Sequence, residues 1–166
     1  MTPSIPIVVA GALGRMGAEV IKAVVEATDC TLVGAVDNTP GKEGCDIGLE
    51  LGLGELEVAI TADFEGCLCA VSQSVRDSNS AAVLVDFTHP SVVYEHTRAA
   101  IAYGVHPVIG TTGLSPEQLS DLSQFSAKAS IGGAVIPNFS VGMVLLQQAA
   151  AAAARFYDHA ELTELH

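Results

Sequence analysis

Short apolar runs and amphipathic stretches alternate along the whole chain. The apolar runs have the length and β-branched content of strands, and the stretches between them repeat apolar residues at helical spacing. Strands are predicted near 5–10, 31–36, 57–61, 82–87, 105–109 and 130–136, and helices near 14–28, 63–75, 90–103, 115–128 and 140–157. This order of elements is typical of βαβ units, in which a helix connects two parallel strands.

The predicted strands are continuously apolar rather than alternating in polarity. Residues 7–9 read Ile-Val-Val, and residues 82–85 read Ala-Val-Leu-Val. Such strands are typically covered by helices on both faces. The pattern therefore predicts an α/β fold of the Rossmann type, with a doubly wound parallel sheet. The segment 37–56, which contains five glycines, is predicted to be irregular.

Serines mark the starts of three predicted helices: Ser91, Ser115 and Ser140. Ser115 is followed by a proline and two acidic or amide residues, a typical helix N-terminus. The last helix, 140–157, is apolar nearly all round, which predicts that it is buried against the sheet. Residues 160–166 then have the pattern of a strand that has only begun.

Composition and charge narrow the classes of function. The chain has 166 residues, enough for one well-buried domain, and 49% of them are hydrophobic. The chain has seven basic residues and a net charge of −12, which is too little positive charge to neutralise the phosphates of a nucleic acid. No nucleic-acid partner is therefore expected. The apolar run 141–154 is shorter than the roughly 20 residues of a membrane span, so no membrane partner is expected either. The four cysteines lack a metal or redox spacing and indicate reduced thiols in a cytoplasmic protein.

Three glycines follow the first predicted strand at intervals of three residues, at Gly11, Gly14 and Gly17. Gly11 would allow a tight turn out of the strand, Gly14 would leave room for a diphosphate, and Gly17 would let the helix approach the sheet. The helix N-terminus would offer free N–H groups and a partial positive charge to the phosphates. The pattern predicts a dinucleotide site.

Asp37 comes twenty residues after Gly17, at the end of the second predicted strand. A carboxylate at this place can accept hydrogen bonds from the adenosine ribose of a dinucleotide. An aspartate favours the ribose without a 2′-phosphate, whereas Arg15 and Lys42 could bind that phosphate. The cofactor is therefore expected to be NADH or NADPH.

Further polar residues follow the later strands: Phe87, Thr88 and His89; Gly110, Thr111, Thr112 and Gly113; and Pro137, Asn138, Phe139 and Ser140. The ends of parallel strands lie at one edge of the sheet, where α/β folds bind ligands. The glycines would let the backbone approach a flat ring, and the threonines would hold a carboxamide such as that of nicotinamide. For His89, a ligand contact and a place at the helix start are equally supported.

Four stretches together resemble the dihydrodipicolinate reductase family of the diaminopimelate route to lysine. Residues 9–17 read Val-Ala-Gly-Ala-Leu-Gly-Arg-Met-Gly, and 85–90 read Val-Asp-Phe-Thr-His-Pro. Residues 110–113 read Gly-Thr-Thr-Gly, and 137–142 read Pro-Asn-Phe-Ser-Val-Gly. The order and spacing are those of the family, and the likeness covers essentially the whole chain.

The resemblance implies reduction of a cyclic unsaturated dicarboxylate by NADH or NADPH, with a histidine as proton donor. It implies that residues 1–139 form the NAD(P)-binding domain and that residues 140–166 begin an α+β substrate domain, which in the family forms a homotetramer. Carried over by position, the cofactor would contact Gly11, Ala12, Gly14, Arg15, Met16, Gly17, Asp37, Phe87, Thr88, Gly110, Thr111, Thr112, Pro137, Asn138 and Phe139. Residues 164–166, Glu-Leu-His, match the start of the family's Glu-Leu-His-His stretch, which makes His166 the candidate proton donor.

The chain departs from the family pattern after His166. The second histidine, the following lysine and the Ser-Gly-Thr segment that holds the substrate carboxylates are not in this sequence. The 166 residues are therefore expected to bind the cofactor but to turn over substrate poorly. Two alternatives stand beside this interpretation. One is a regulatory dinucleotide-binding module, and the other is a different dehydrogenase of the aspartate pathway, such as homoserine or semialdehyde dehydrogenase.

Overall fold

The computed structural model describes residues 4–76, 80–159, 161 and 163. Its strands are β1 (Ile5–Ala10), β2 (Cys30–Val36), β3 (Ile60–Thr61), β4 (Val83–Asp86), β5 (His106–Ile109) and β6 (Ala134–Val135). Its helices are α1 (Arg15–Glu26), α2 (Ile47–Glu50), α3 (Phe64–Arg76), α4 (Val93–Ala102), α5 (Pro116–Ala129) and α6 (Val141–Ala153). The predicted alternation of strands and helices is confirmed.

The six strands form one parallel sheet in the order β3-β2-β1-β4-β5-β6. The chain builds outwards from β1 in one direction and then returns to place β4 on its other side. This is the doubly wound order of the Rossmann fold, so the predicted fold class is confirmed. The reversal between β1 and β4 opens a crevice at the carboxyl ends of these two strands.

Apolar side chains pack on both faces of the sheet. One face packs against α3 and α4, with Val8, Ala10, Leu68, Leu84 and Ala100 in its core. The other face packs against α1 and α2, with Ile7, Val9, Ile21, Ala35 and Ile60 in its core. The sequence pattern predicted that all strands are covered on both faces, but β4 and β5 differ. Their residues alternate between half-buried and buried, because α4 covers one face and the described residues leave the other partly open.

The helix starts agree only in part with the sequence prediction. Ser115 caps α5 as predicted: its hydroxyl accepts a hydrogen bond from the Gln118 amide, and the Gln118 side chain accepts one from the Ser115 amide. Helix α4 begins at Val93 rather than at Ser91. The Ser91 hydroxyl instead contacts Nδ1 of His89, at 2.9 Å. Ser140 is the N-cap of α6, but its side chain makes no cap hydrogen bond.

Two predictions about irregular and buried segments were wrong. The stretch 37–56 contains the short helix α2, whose start is fixed by Asp46: its carboxylate accepts hydrogen bonds from the amides of Leu49, Leu56 and Val58. Helix α6 was predicted to be buried, yet Leu145 on it is 59% exposed and no residue of the helix is buried. The physical reason is that no element among the described residues packs closely enough against α6 to bury its side chains. The strand predicted near 160–166 falls mostly outside the described residues.

Candidate functional site

A cleft of about 530 Å³ opens at the carboxyl ends of β1 and β4, where the order of the strands reverses. Its lining includes Gly11, Gly14, Asp37, Thr88 and His96. Cavities of a few hundred Å³ are the size that cofactors and small ligands occupy. Doubly wound sheets bind their ligands at this reversal point. The cleft is therefore the candidate functional site.

The first glycine of the triplet lets two strand ends come together. Gly11 has φ +77°, a backbone conformation that residues with a side chain rarely adopt. A Cβ at this position would overlap the carbonyl group of Phe87, at the end of β4. A Cβ on Gly17 would overlap the carbonyl oxygen of Gly11. The structure thus shows the tight turn and the close helix packing that the sequence predicted for these two glycines.

The N-terminus of α1 is open to the cleft and has no internal cap. Its N-cap is Gly14, which has no side chain to accept a hydrogen bond, and its first turn contains no acidic residue. The amides that precede it are already used: Gly11 and Ala12 donate to the carbonyl of Val36, and Gly14 donates to that of Gly11. The first amides of α1 therefore have no acceptor among the residues that the structure describes, which favours an anion at this position.

Asp37 lies at the end of β2, and its carboxylate holds two loops together. Its Oδ2 accepts a hydrogen bond from the Leu13 amide at 2.9 Å, which fixes the glycine loop. Its Oδ1 accepts from the amide and the hydroxyl of Thr39, at 2.9 and 2.6 Å. A carboxylate offers about four acceptor positions. Asp37 can therefore accept one further hydrogen bond in the cleft.

The two cations that the sequence offered for a 2′-phosphate differ in their surroundings. Lys42 Nζ lies 2.5 Å from a carboxylate oxygen of Glu50 on α2 and forms an ion pair with it. Arg15 is the first residue of α1 and is exposed. Arg15 makes no ion pair with any residue that the structure describes. Arg15 is thus the more available of the two.

A buried carboxylate joins the ends of β4 and β5. Asp86 is fully buried, and its Oδ1 accepts hydrogen bonds from the Thr88 amide, the Thr88 hydroxyl and the Thr111 hydroxyl, at 3.0, 2.7 and 2.7 Å. Its main-chain carbonyl accepts hydrogen bonds from the amides of Gly110 and Thr111. The Thr111 hydroxyl was predicted to hold a carboxamide. Instead it is buried in this network, where it also accepts from the Thr88 amide at 2.8 Å.

His96 on α4 completes the environment of Asp86. Its Nδ1 lies 2.9 Å from Oδ2 of Asp86, and its ring stacks on Phe64 with 3.9 Å between ring centres. Burial raises the pKa of the Asp86 carboxyl, but hydrogen bonds from His96, Thr111 and Thr88 outweigh this effect and leave the pKa below its ordinary value. Asp86 is therefore a carboxylate at neutral pH, and Nδ1 of His96 carries the proton between them.

Phe87 links the remaining predicted residues. A Cβ on Gly110 would overlap the Phe87 ring, so the absence of a side chain at Gly110 makes room for this ring. The ring also contacts Phe139, with 5.4 Å between centres. Pro137, Asn138 and Phe139 lie at the same edge of the sheet, and the Phe139 side chain is 46% exposed there.

Five of the predicted cofactor residues line the cleft: Gly11, Gly14, Asp37, Phe87 and Thr88. Gly110 and Phe139 lie against the Phe87 ring beside it. Met16 and Thr112 are exposed, Ala12 is buried, and His166 lies outside the described residues. The sequence analysis assigned no functional role to Asp86, Phe64 or His96. An aspartate that ends an apolar strand, two residues before a threonine, was the only local signal for this network. Among the described residues, no group of histidine, cysteine and acidic side chains could hold a metal ion.

Residues 5–139 match the protein family described as "Dihydrodipicolinate reductase, N-terminus". The chain belongs to this reductase family. A 4-hydroxy-tetrahydrodipicolinate reductase of Parasynechococcus marenigrum (strain WH8102) is 92% identical over 166 residues, which are 100% of this chain and 60% of that protein. One from Synechococcus sp. (strain CC9605) is 90% identical with the same coverage. The chain thus spans 60% of the length of these members of the reductase family.

A solved structure agrees with this family membership. A dipicolinate-bound dihydrodipicolinate reductase from Paenisporosarcina sp. TG-14 is 27% identical, with a TM-score of 0.68 over 93% of this chain and 55% of that chain. In the part of the chain that the structure describes, no helix is long and apolar enough to cross a membrane.

Proposed function

We propose that the cleft binds NADH or NADPH and that the chain is the cofactor-binding part of a 4-hydroxy-tetrahydrodipicolinate reductase. The observation that carries the proposal is the uncapped N-terminus of α1, which faces a glycine-lined cleft at the strand-order reversal. The diphosphate of a dinucleotide supplies the anion that this helix end lacks. Asp37, whose carboxylate already accepts a hydrogen bond from the Leu13 amide of the glycine loop, supplies an acceptor for a ribose hydroxyl.

Each strand-end loop takes one part of the dinucleotide in this proposal. The diphosphate lies at the glycine loop and the start of α1, where the first amides of the helix can donate to it, and the adenosine ribose lies at Asp37. This segment comprises Gly11, Ala12, Gly14, Arg15, Met16 and Gly17. The nicotinamide half is lined by Phe87, Thr88, Gly110, Thr111 and Thr112. Pro137, Asn138 and Phe139 lie between the cofactor and the substrate. Asp37 suits a free 2′-hydroxyl and Arg15 a 2′-phosphate, so the proposal covers both cofactors.

The reduction itself belongs to a protein of the relatives' length. Bound NADH or NADPH supplies the hydride, and His166 is proposed as the proton donor on the strength of the family's Glu-Leu-His-His stretch. Residues 1–139 would form the cofactor domain and residues 140–166 the beginning of the substrate domain. The substrate is a small cyclic dicarboxylate, and the enzyme would act in the cytoplasm as a homotetramer, in lysine biosynthesis.

Replacing Asp37 by alanine is expected to weaken the binding of NADH by about tenfold to a hundredfold. The variant loses a charged acceptor for the ribose, and the Leu13 amide loses the acceptor that fixes the glycine loop. Calorimetric titration with NADH and then with NADPH measures the effect.

Asp29→Ala is the matched control, because Asp29 precedes β2 at the opposite edge of the sheet, where its carbonyl accepts the Ile5 amide. This variant is expected to bind like the unchanged chain. If the unchanged chain binds neither dinucleotide, or if Asp37→Ala binds as tightly as it does, the proposed cofactor site is wrong.

The 166-residue chain, assayed alone with NADPH and substrate, is expected to turn over on the order of a hundredfold more slowly than the Parasynechococcus relative. A dicarboxylate requires cationic or N–H partners. Three of the seven cations of the chain, Lys22, Lys42 and Arg98, are paired with carboxylates, and the described residues that line the cleft include no lysine or arginine. Steady-state rates of the two proteins under the same conditions decide this, and equal rates would show that these 166 residues suffice for turnover.

A further inference from the structure

Asp86 is a buried carboxylate that has no direct role in the proposed cofactor site. It is fully buried, so that no ligand in the cleft can touch it. An isolated buried charge is costly unless it is paired and hydrogen-bonded. The donors around Asp86 come from three separate parts of the chain: the loop after β4, the loop after β5, and helix α4.

The donors on one side belong to the two loops that line the nicotinamide half of the proposed site. Thr88, with its amide and hydroxyl, comes from the loop after β4, and the hydroxyl of Thr111 comes from the loop after β5. The two loops also contact each other directly, because the Thr88 amide lies 2.8 Å from the Thr111 hydroxyl. A single oxygen, Oδ1, therefore fixes the relative position of both loops.

The other oxygen of Asp86 is fixed from the opposite side. Nδ1 of His96 donates to Oδ2, and the His96 ring is held in place by stacking on Phe64 at the start of α3. The side chain of His96 is 19% exposed, so it lies between the buried carboxylate and the cleft. The orientation of the carboxylate is thus set by a helix that is separate from both loops.

We propose that Asp86 and His96 are positioning residues, which hold the loops after β4 and β5 in the conformation that the nicotinamide half of the cofactor requires. The inference rests on the proposed function for the identity of the ligand. A carboxylate with fixed orientation restricts Thr88 and Thr111 more than a backbone contact alone, because hydrogen bonds to a charged group are the stronger ones. The hydrogen bonds of Asp37, which would bind the adenosine ribose, go to Leu13 and Thr39 and not to this pair.

This difference between the two halves of the site gives the test. Asp86→Asn keeps the side-chain volume, but its amide oxygen has two lone pairs for the three donors that Oδ1 now accepts. NADH is expected to bind Asp86→Asn on the order of tenfold more weakly. ADP-ribose, which lacks the nicotinamide, is expected to bind it as it binds the unchanged chain. A variant that was only less stable would lose affinity for both ligands.

A second measurement needs no ligand. Amide hydrogen exchange of Thr88 and Thr111 is expected to become about tenfold faster in Asp86→Asn, because the loops are no longer fixed. The amides of Val8 and Val9 in β1 are expected to keep their exchange rates. His96→Ala leaves the threonine contacts but removes the partner of Oδ2. It is also expected to speed the exchange of the Thr88 and Thr111 amides, and it replaces Asp86→Asn in the test if that variant does not fold.

Asp121→Asn is the matched control, because Asp121 is an exposed carboxylate on α5 that accepts hydrogen bonds from Tyr94 and Arg98. It is expected to change neither ligand binding nor loop exchange. Equal weakening of NADH and ADP-ribose, or no weakening of NADH, in Asp86→Asn would overturn the positioning role. If the unchanged chain binds neither ligand, the proposed function fails, and the exchange rates alone then decide whether Asp86 fixes the loops.

Discussion

Gly11→Ala is expected to lower the free energy of unfolding by about 3–5 kcal/mol and to abolish dinucleotide binding. Two costs combine in this variant. Alanine is strained at φ +77°, and its Cβ would overlap the carbonyl of Phe87, whose carbon atom would lie at 2.9 Å. Either β1 or the loop after β4 must move, and this movement closes or distorts the cleft. Urea denaturation and calorimetric titration measure the two effects.

Gly41→Ala separates the two costs. Gly41 has the same φ, +77°, but a Cβ on it would meet no atom within 4 Å. Only the backbone strain applies there, which is about 1 kcal/mol. The difference between the two variants measures the close approach of the loops. If both variants lose the same stability, the packing of Gly11 against Phe87 has no energetic importance.

Asp86→Ala is expected to lower the free energy of unfolding by about 3–5 kcal/mol at pH 7, because it leaves the buried donors of Thr88 and Thr111 without their acceptor. The contribution of Asp86 depends on pH. Its pKa is below the ordinary value in the folded protein, so its contribution is complete above the pKa of the unfolded chain, about 3.9. The contribution is lost as the pH falls through the lower, folded-state pKa.

Urea denaturation of the unchanged chain and of Asp86→Ala, at several values of pH between about 7 and 3, measures this dependence. The difference in unfolding free energy is expected to be largest at neutral pH and to shrink below about pH 4. Asp121→Ala, which removes an exposed carboxylate, is expected to change stability only slightly at any pH. A difference that stays constant over this whole range would mean that the charge of Asp86 does not stabilise the fold.

Features that depend on neighbouring residues in the sequence were predictable. The turn at Gly11, the packing at Gly17 and the capping box of Ser115 each require only a few consecutive residues. The doubly wound sheet also followed from a local property, the alternation of apolar runs with helical stretches. The carboxyl-end location of the cleft then follows from the strands being parallel.

Features that depend on side-chain contacts between residues far apart in the sequence were not predictable. The Asp86 network forms only because β4 pairs with β5 and because His96 of α4 reaches Asp86. No short stretch of sequence predicts that these three elements meet. The ion pair of Lys42 with Glu50 depends on helix α2. This helix was not predicted, because the glycines of the segment 37–56 indicated an irregular segment. The exposure of α6 depends on which other elements pack against it, and the periodicity of a single helix does not show this.

Phe87 has a consequence for how sequences of this family can vary. Its carbonyl fills the space beside Gly11, and its ring fills the space beside Gly110. One residue therefore sets the permitted side-chain size at two positions that are far apart in the chain. A homologue with a side chain at the position of Gly110 is expected to carry a smaller residue at the position of Phe87, so evolution should change these two positions together.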